Sequence, residues 1–174
     1  MEREPLDFWT FASLARRRLA DEFGYERAEV TELLLMLNRA SGIVTYDLES
    51  TVHRPRGRSW AAFRVLYVLW LAGPIEAKGA AELTGMSRAA LSNLLRSLVE
   101  DGVVSRERDP EDGRSIRLAL TPAGVAEITE AFRAHHDREV DWAGGLTESE
   151  QAQLVGLLDK LVAGRTDLDI RRRH

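Results

Sequence analysis

The chain has 174 residues, 44% of them apolar, with 24 Lys and Arg against 28 Asp and Glu for a net charge of −4. That length sustains one domain with its own core, and cysteine is absent, which excludes a disulfide framework, a cysteine nucleophile and a thiol redox sensor. The opening Met1-Glu-Arg-Glu-Pro5 leads into no apolar signal core, and the longest uncharged apolar run, Val65 to Ile75, is too short to cross a bilayer, so a soluble cytoplasmic protein without a membrane partner is expected.

Helical periodicity dominates the first half. Phe8, Ala12, Ala15 and Leu19 mark one face of a helix from Leu6 to Phe23, with Gly24 as its stop. A long helix is predicted from about Ala28 to Val52, with Leu33, Leu37, Ala40, Val44 and Leu48 as its stripe. His53-Arg-Pro-Arg-Gly-Arg58 reads as a loop, because Pro55 and Gly57 interrupt the period. Ser59 is placed to cap a helix from Trp60 to Leu71, apolar nearly all round and therefore buried. Gly73-Pro74 ends it. A short helix from Glu76 to Thr84 follows, then Gly85, then a helix capped by Ser87 that runs to Asp101 and stops at Gly102.

The period then changes to two. Val104, Arg106 and Arg108 alternate with Ser105 and Glu107. Ile116, Leu118 and Leu120 alternate with Ser115, Arg117 and Ala119, and Asp109-Pro-Glu-Asp-Gly113 supplies the turn between them. This is a single β-hairpin in an otherwise helical chain, and a lone ribbon needs helices to support it. Thr121-Pro122 restarts a helix that runs to about Trp142. Gly144-Gly145 breaks it, and the capping box Thr147-x-x-Glu150 opens a last helix with Leu154, Leu158 and Leu161 on one stripe. Arg171 to His174 reads as a frayed tail.

Ala77 to Leu95 carries the spacing of a helix-turn-helix. Ala81 is the small residue where two helices cross closely, Gly85 tolerates the left-handed turn, and Leu91 anchors the second helix inward. On a wheel, Leu91, Leu94, Leu95 and Leu98 face in. Ser87, Arg88, Ala89, Ser92, Asn93 and Arg96 form the other side, short, polar or basic, and free of acid until Glu100. A groove-reading helix needs small side chains for close approach and Arg or Asn to pair with base edges or phosphates. A solvated face usually mixes signs, and this one does not. No acid lies between Glu49 and Glu76 or between Glu82 and Glu100, so two basic islands sit in an acidic protein. Arg114, directly after Asp112-Gly113 at the hairpin tip, suits an electronegative minor groove.

From Ser59 to Gly124 the sequence resembles the MarR family. The resemblance rests on Ala80-Ala-Glu-Leu-Thr-Gly-Met-Ser87, Leu98-Val-Glu-Asp-Gly-Val-Val104, Arg106-Glu-Arg-Asp-Pro-Glu-Asp-Gly-Arg114 and Leu118-Ala-Leu-Thr-Pro-Ala-Gly124, with Leu146-Thr-x-x-Glu150 beyond it. It implies a mainly α winged helix-turn-helix over residues 59–121. Residues 1–58 and 122–170 would form a helical dimerisation region that holds two winged domains on a pseudopalindromic double-stranded operator. It also implies that Ser87, Arg88, Ala89, Ser92, Asn93 and Arg96 enter the major groove, that Arg114 reaches the minor groove, and that a small aromatic or phenolic effector releases a repressor from DNA.

Trp9, Tyr46 and Trp60 are candidates to line the effector site. His53 and Arg58, which flank Trp60 in sequence, are candidates to pair an anionic ligand, or equally to contact phosphates. His135 and Glu139, four apart on a helix, are two metal-ligand types but not a site, so no metal or cofactor is expected. No nucleophile elbow, phosphate loop or metal framework appears, so no catalytic residue is expected. The alternatives are a winged-helix dimerisation module that binds protein rather than DNA, and a constitutive DNA binder without effector.

Overall fold

The computed structural model describes residues 7–108 and 116–163. Its elements are α1 (Phe8–Asp21), α2 (Glu29–Leu48), α3 (Trp60–Ala72), β1 (Ile75–Glu76), α4 (Ala77–Thr84), α5 (Arg88–Glu100), β2 (Val104–Arg108), β3 (Ile116–Leu120), α6 (Pro122–Ala143) and α7 (Glu148–Ala163). The chain divides into two compact units, Met1–Asp47 and Leu48–His174. Among the described residues no helix is long and apolar enough to cross a membrane.

In the first unit, α1 starts where the Asp7 carboxylate accepts from the Thr10 backbone N–H at 2.8 Å, a cap that also holds the Asp7 carboxyl below its usual range. Glu32 of α2 ties the two helices together, accepting from the Ser13 hydroxyl at 3.0 Å and pairing with Arg16 at 2.7 Å. The Arg39 guanidinium lies 5.3 Å over the Phe8 ring. Little of the apolar surface here is covered: Trp9, Phe11, Leu33, Leu34 and Tyr46 are exposed.

The second unit is built around α3. Phe63, Leu66 and Leu69 are buried against Ala80 and Ala81 of α4, Leu91, Leu95 and Leu98 of α5, Leu118 of β3 and Ile128 of α6. The all-round apolar character of α3 thus reflects its place at the centre of the unit. Three hydroxyls start three helices: Ser59 accepts from the Ala62 N–H, Ser87 from the Ala90 N–H and Thr121 from the Gly124 N–H, at 3.1–3.2 Å. The Thr147–Glu150 box is reciprocal, with Thr147 N–H donating to the Glu150 carboxylate at 2.8 Å and Glu150 N–H to the Thr147 hydroxyl at 3.3 Å.

Two expectations need correction. The hairpin is present, with Val104 opposite Leu120 and Arg108 opposite Ile116, but it is not a lone ribbon. Ile75 and Glu76 pair antiparallel with Leu118 and Arg117, giving a three-stranded sheet in the order β1-β3-β2. Pairing takes Ile75–Glu76 out of the helical period, so α4 begins one residue later than its sequence suggests. The second correction concerns His53 to Arg58. Helical winding continues past Leu48 as a π-turn over Glu49–His53 and a 3-10 turn over Arg54–Arg56, and Gly57 stops it at φ +74°. Pro55 is accommodated in the first turn of that 3-10 segment, where no intrahelical N–H is required.

Candidate nucleic-acid interface

Helices α4 and α5 meet through the turn Gly85-Met86-Ser87. Gly85 adopts φ +65°, the left-handed region that glycine enters without a Cβ penalty. The Thr84 hydroxyl, buried, donates to the Ala80 carbonyl at 2.7 Å, and Met86 N–H donates to the Ala81 carbonyl at 3.1 Å, so the turn closes on α4 itself. Ala81 is buried at the crossing.

Helix α5 then divides into two faces. Leu91, Leu95 and Leu98 are each at most 3% exposed, while Ser87, Arg88, Ala89, Ser92, Asn93 and Arg96 are all exposed. Leu94, expected inside, is half-buried at the boundary, as is Met86 of the turn. None of the ion pairs among the described residues engages Arg88 or Arg96. Both guanidiniums are therefore available to an anionic partner.

Two further cations join this face. Lys78, in the first turn of α4, and Arg106, on β2, line a cleft of about 440 Å³ together with Arg88 and the buried Leu91, Leu95 and Leu118. In the sequence Arg106 reads only as a hairpin residue, and nothing marks Lys78. What gathers them is β1, which holds β3 against the start of α4. Arg114 and the turn from Asp109 to Gly113 lie outside the described residues, as do Met1–Pro5 and the tail Arg171–His174.

The residues considered for an effector fall in different units. Trp9 and Tyr46 belong to the first unit, where they are 49% and 66% exposed. His53, Arg58 and Trp60 belong to the second. His53 is buried, stacked on Phe63 with ring centroids 4.0 Å apart and tilted against Trp60 at 5.8 Å. Its Nε2 lies 3.1 Å from Nδ1 of His135, whose own Nε2 lies 3.1 Å from Oε1 of Glu139.

The carboxylate can only accept, so His135 donates through Nε2 and accepts at Nδ1, and His53 donates through Nε2. Burial pushes the His53 pKa down to about 4, with nearby His135 and Arg56 adding to the effect. Burial also lowers that of His135, partly offset by Glu139. No group of three or more His, Cys, Asp and Glu side chains able to hold a metal occurs among the described residues.

Arg58 is engaged by protein carboxylates. Its Nε and Nη2 donate to the two oxygens of Glu127 at 2.7 and 3.0 Å, and its Nη1 donates to Asp101. These hydrogen bonds raise the Arg58 pKa above its ordinary value despite partial burial, so the charge is fixed.

The model of the MarR family matches residues 56–115, which include the helix-turn-helix and the first strand of the wing. An uncharacterized HTH-type transcriptional regulator of Bacillus subtilis, YwaE, is 32% identical over 133 residues, covering 76% of this chain and 78% of that one. Among solved structures, a mutant of E. coli MarR complexed with operator DNA superposes with a TM-score of 0.70 at 24% identity, covering 79% of this chain and 99% of its own. Bordetella bronchiseptica BpsR, whose DNA binding is regulated by 6-hydroxynicotinic acid, superposes with a TM-score of 0.67 at 24% identity over 75% of this chain and 98% of its own. These two structures establish the fold. With the relative matched over three-quarters of its length and the family model over the helix-turn-helix, this chain belongs to the MarR family of DNA-binding transcriptional regulators.

Proposed function

We propose that the protein is a repressor that binds a pseudopalindromic operator as a homodimer, with α5 in the major groove and the wing at the adjacent minor groove. The observation that carries this reading is the exposed, acid-free face of α5, with Arg88 and Arg96 held by no carboxylate among the described residues. Ser87, Arg88, Ala89, Ser92, Asn93 and Arg96 are the proposed major-groove contacts and Arg114 the minor-groove contact. Lys78 and Arg106, beside Arg88 in the cleft, add phosphate contacts.

The dimerisation region is proposed to comprise residues 1–58 and 122–170. Helix α7 supports this, because it buries no residue of its own while Leu154, Val155, Leu157, Leu158 and Val162 are exposed. Covering such a stripe with its two-fold mate yields roughly 25 cal/mol per Å² of apolar area before ordering costs.

We further propose that a small aromatic anion weakens DNA binding from a site against Trp60, with His53 and Arg58 of the same unit as its other candidates. The half-buried ring of Trp60 beside His53 supports this, as does the regulation of BpsR by 6-hydroxynicotinic acid. A ligand carboxylate reaching Arg58 has to compete with Glu127 and Asp101.

The test is fluorescence anisotropy of the full chain on duplexes from the promoter region of its own gene, with scrambled controls and a panel of aromatic carboxylates. Cognate binding that a carboxylate weakens supports the reading. Wild-type affinity in Arg88→Ala and Arg96→Ala, or no duplex binding at all, points instead to a module that docks protein. Cognate binding that no carboxylate alters leaves a constitutive binder.

A further inference from the structure

Arg58 joins three segments that are distant in sequence. Gly57, in the left-handed region, ends the 3-10 turn, and Ser59 caps α3 two residues later. The Arg58 backbone between them is pinned, with its N–H donating to the His53 carbonyl at 3.0 Å. From that fixed point the side chain reaches Glu127 on α6 and Asp101, the residue that caps the C-terminus of α5. Only 18% of the side chain is exposed.

A guanidinium is planar and presents its donors in a rigid fork. Here one edge is taken bidentately by Glu127, which fixes the plane, and the remaining nitrogen faces Asp101. Helix α5 otherwise packs chiefly against α4, α3 and β2, and α6 packs against α3, β3 and the π-turn. The end of α5 is therefore referred to α6 through this side chain, beside the contacts that Thr121 at the start of α6 makes with the Gly102 and Val103 carbonyls.

We infer that Arg58 is a positioning residue that sets the angle of the DNA-reading helix α5 against α6, and so the half-site separation that a dimer accepts. The role rests on the dimeric, operator-binding reading above. Its physical content is geometric. If α6 leads to the region that joins two copies, a few degrees of rotation of α5 about its far end shifts the two reading helices relative to one another. Docking at two half-sites requires them to be one helical turn, about 34–36 Å, apart or a multiple of it.

The experiment uses the full-length protein. Wild type first selects its preferred duplex from a random pool. Affinities are then measured for that duplex and for versions with the half-sites one base pair closer or farther apart. Wild type is expected to discriminate among spacings by about tenfold or more, and Arg58→Met by less than about threefold, with its melting temperature recorded in parallel. Arg58→Lys should fall between, because an ammonium keeps the charge but loses the fork.

A spacing ratio unchanged in Arg58→Met overturns the inference. So does a loss of affinity that is equal at all spacings and tracks a lowered melting temperature, which is what general destabilisation would produce. Should Arg58→Met fail to fold, Glu127→Gln and Asp101→Asn each weaken one arm and must narrow the ratio if the inference holds. A wild-type protein that selects no paired half-sites overturns the dimeric reading and this inference with it, and that result shows in the wild-type arm alone.

Discussion

The Cβ that an alanine would carry at position 124 overlaps the carbonyl oxygen of Val103. Gly124 lies in the first turn of α6, and the Val103 carbonyl also accepts from the Thr121 N–H at 3.1 Å. The Thr121 hydroxyl donates to the Gly102 carbonyl at 2.7 Å, so the start of α6 is seated directly on the turn between α5 and β2.

Gly124→Ala should therefore destabilise the fold, although glycine-to-alanine in an open helix interior gains about 1 kcal/mol. The obstacle is backbone rather than a movable side-chain end, so the expected loss lies at or above the upper end of the ~1–3 kcal/mol typical of overpacking. Urea unfolding of the two proteins measures it, and a midpoint at or above wild type would contradict the close approach.

The two DNA-facing elements should respond differently to truncation. Arg88→Ala or Asn93→Ala should cost about 1–3 kcal/mol on the selected duplex and less on scrambled DNA, as expected for base-edge contacts. Arg114→Ala should weaken binding to both duplexes and flatten the salt dependence, since a charge near the backbone is lost. Anisotropy across a salt series separates the patterns. If all three variants bind as wild type while folded, the reading surface lies elsewhere.

Acid should weaken the fold through His53. Its folded pKa, about 4, lies below the ordinary 6.5, so the unfolded chain binds the extra proton between these values. Stability from the neutral ring is intact above about pH 6.5 and is lost as pH falls toward 4, on the order of 1–2 kcal/mol by about pH 5. The groups facing this ring are Arg56, His135 and, through His135, Glu139 and His136. His53→Phe keeps the stack on Phe63 but cannot titrate, so its unfolding midpoint should depend less on pH across this window. An equal slope in both proteins would place the titration elsewhere.

Assembly should depend on the last helix. Leu154→Glu and Leu158→Glu put charge on exposed positions of a helix that has no fully buried residue, so each should leave the second unit folded while shifting a dimer toward monomer. Light scattering at micromolar concentration with circular dichroism in parallel reads both effects. A variant as dimeric as wild type would remove α7 from the interface.

Much of this is legible in the sequence. The helix order, the caps at Ser59, Ser87, Thr121 and Thr147 and the two faces of α5 follow from local chemistry and period, which act over a few residues. What escaped depends on partners far along the chain. Ile75–Glu76 is too short to show an alternation and becomes a strand only because Leu118 and Arg117 meet it. Arg58 reads as an unpaired cation until Glu127, 69 residues away, is brought beside it, and His53 meets His135 across 82 residues. The π-turn escaped because Pro55 and Gly57 mark an interruption without saying that helical winding continues up to them.

That π-turn holds one residue more than an α-helix needs to cover the same climb. The Arg54 N–H donates to the Glu49 carbonyl, one residue farther back than in an α-helix. The wide turn takes up the extra residue within itself, so the winding on either side keeps the register of an uninterrupted helix. Removing one residue between Glu49 and Val52 lets ordinary α pitch resume, with each residue advancing about 100° around the axis and the bond closing over four residues instead of five. The same deletion in a regular α-helical stretch turns every following side chain by that angle. Single-residue length changes are therefore absorbed more readily in this one turn than in the regular helix on either side of it.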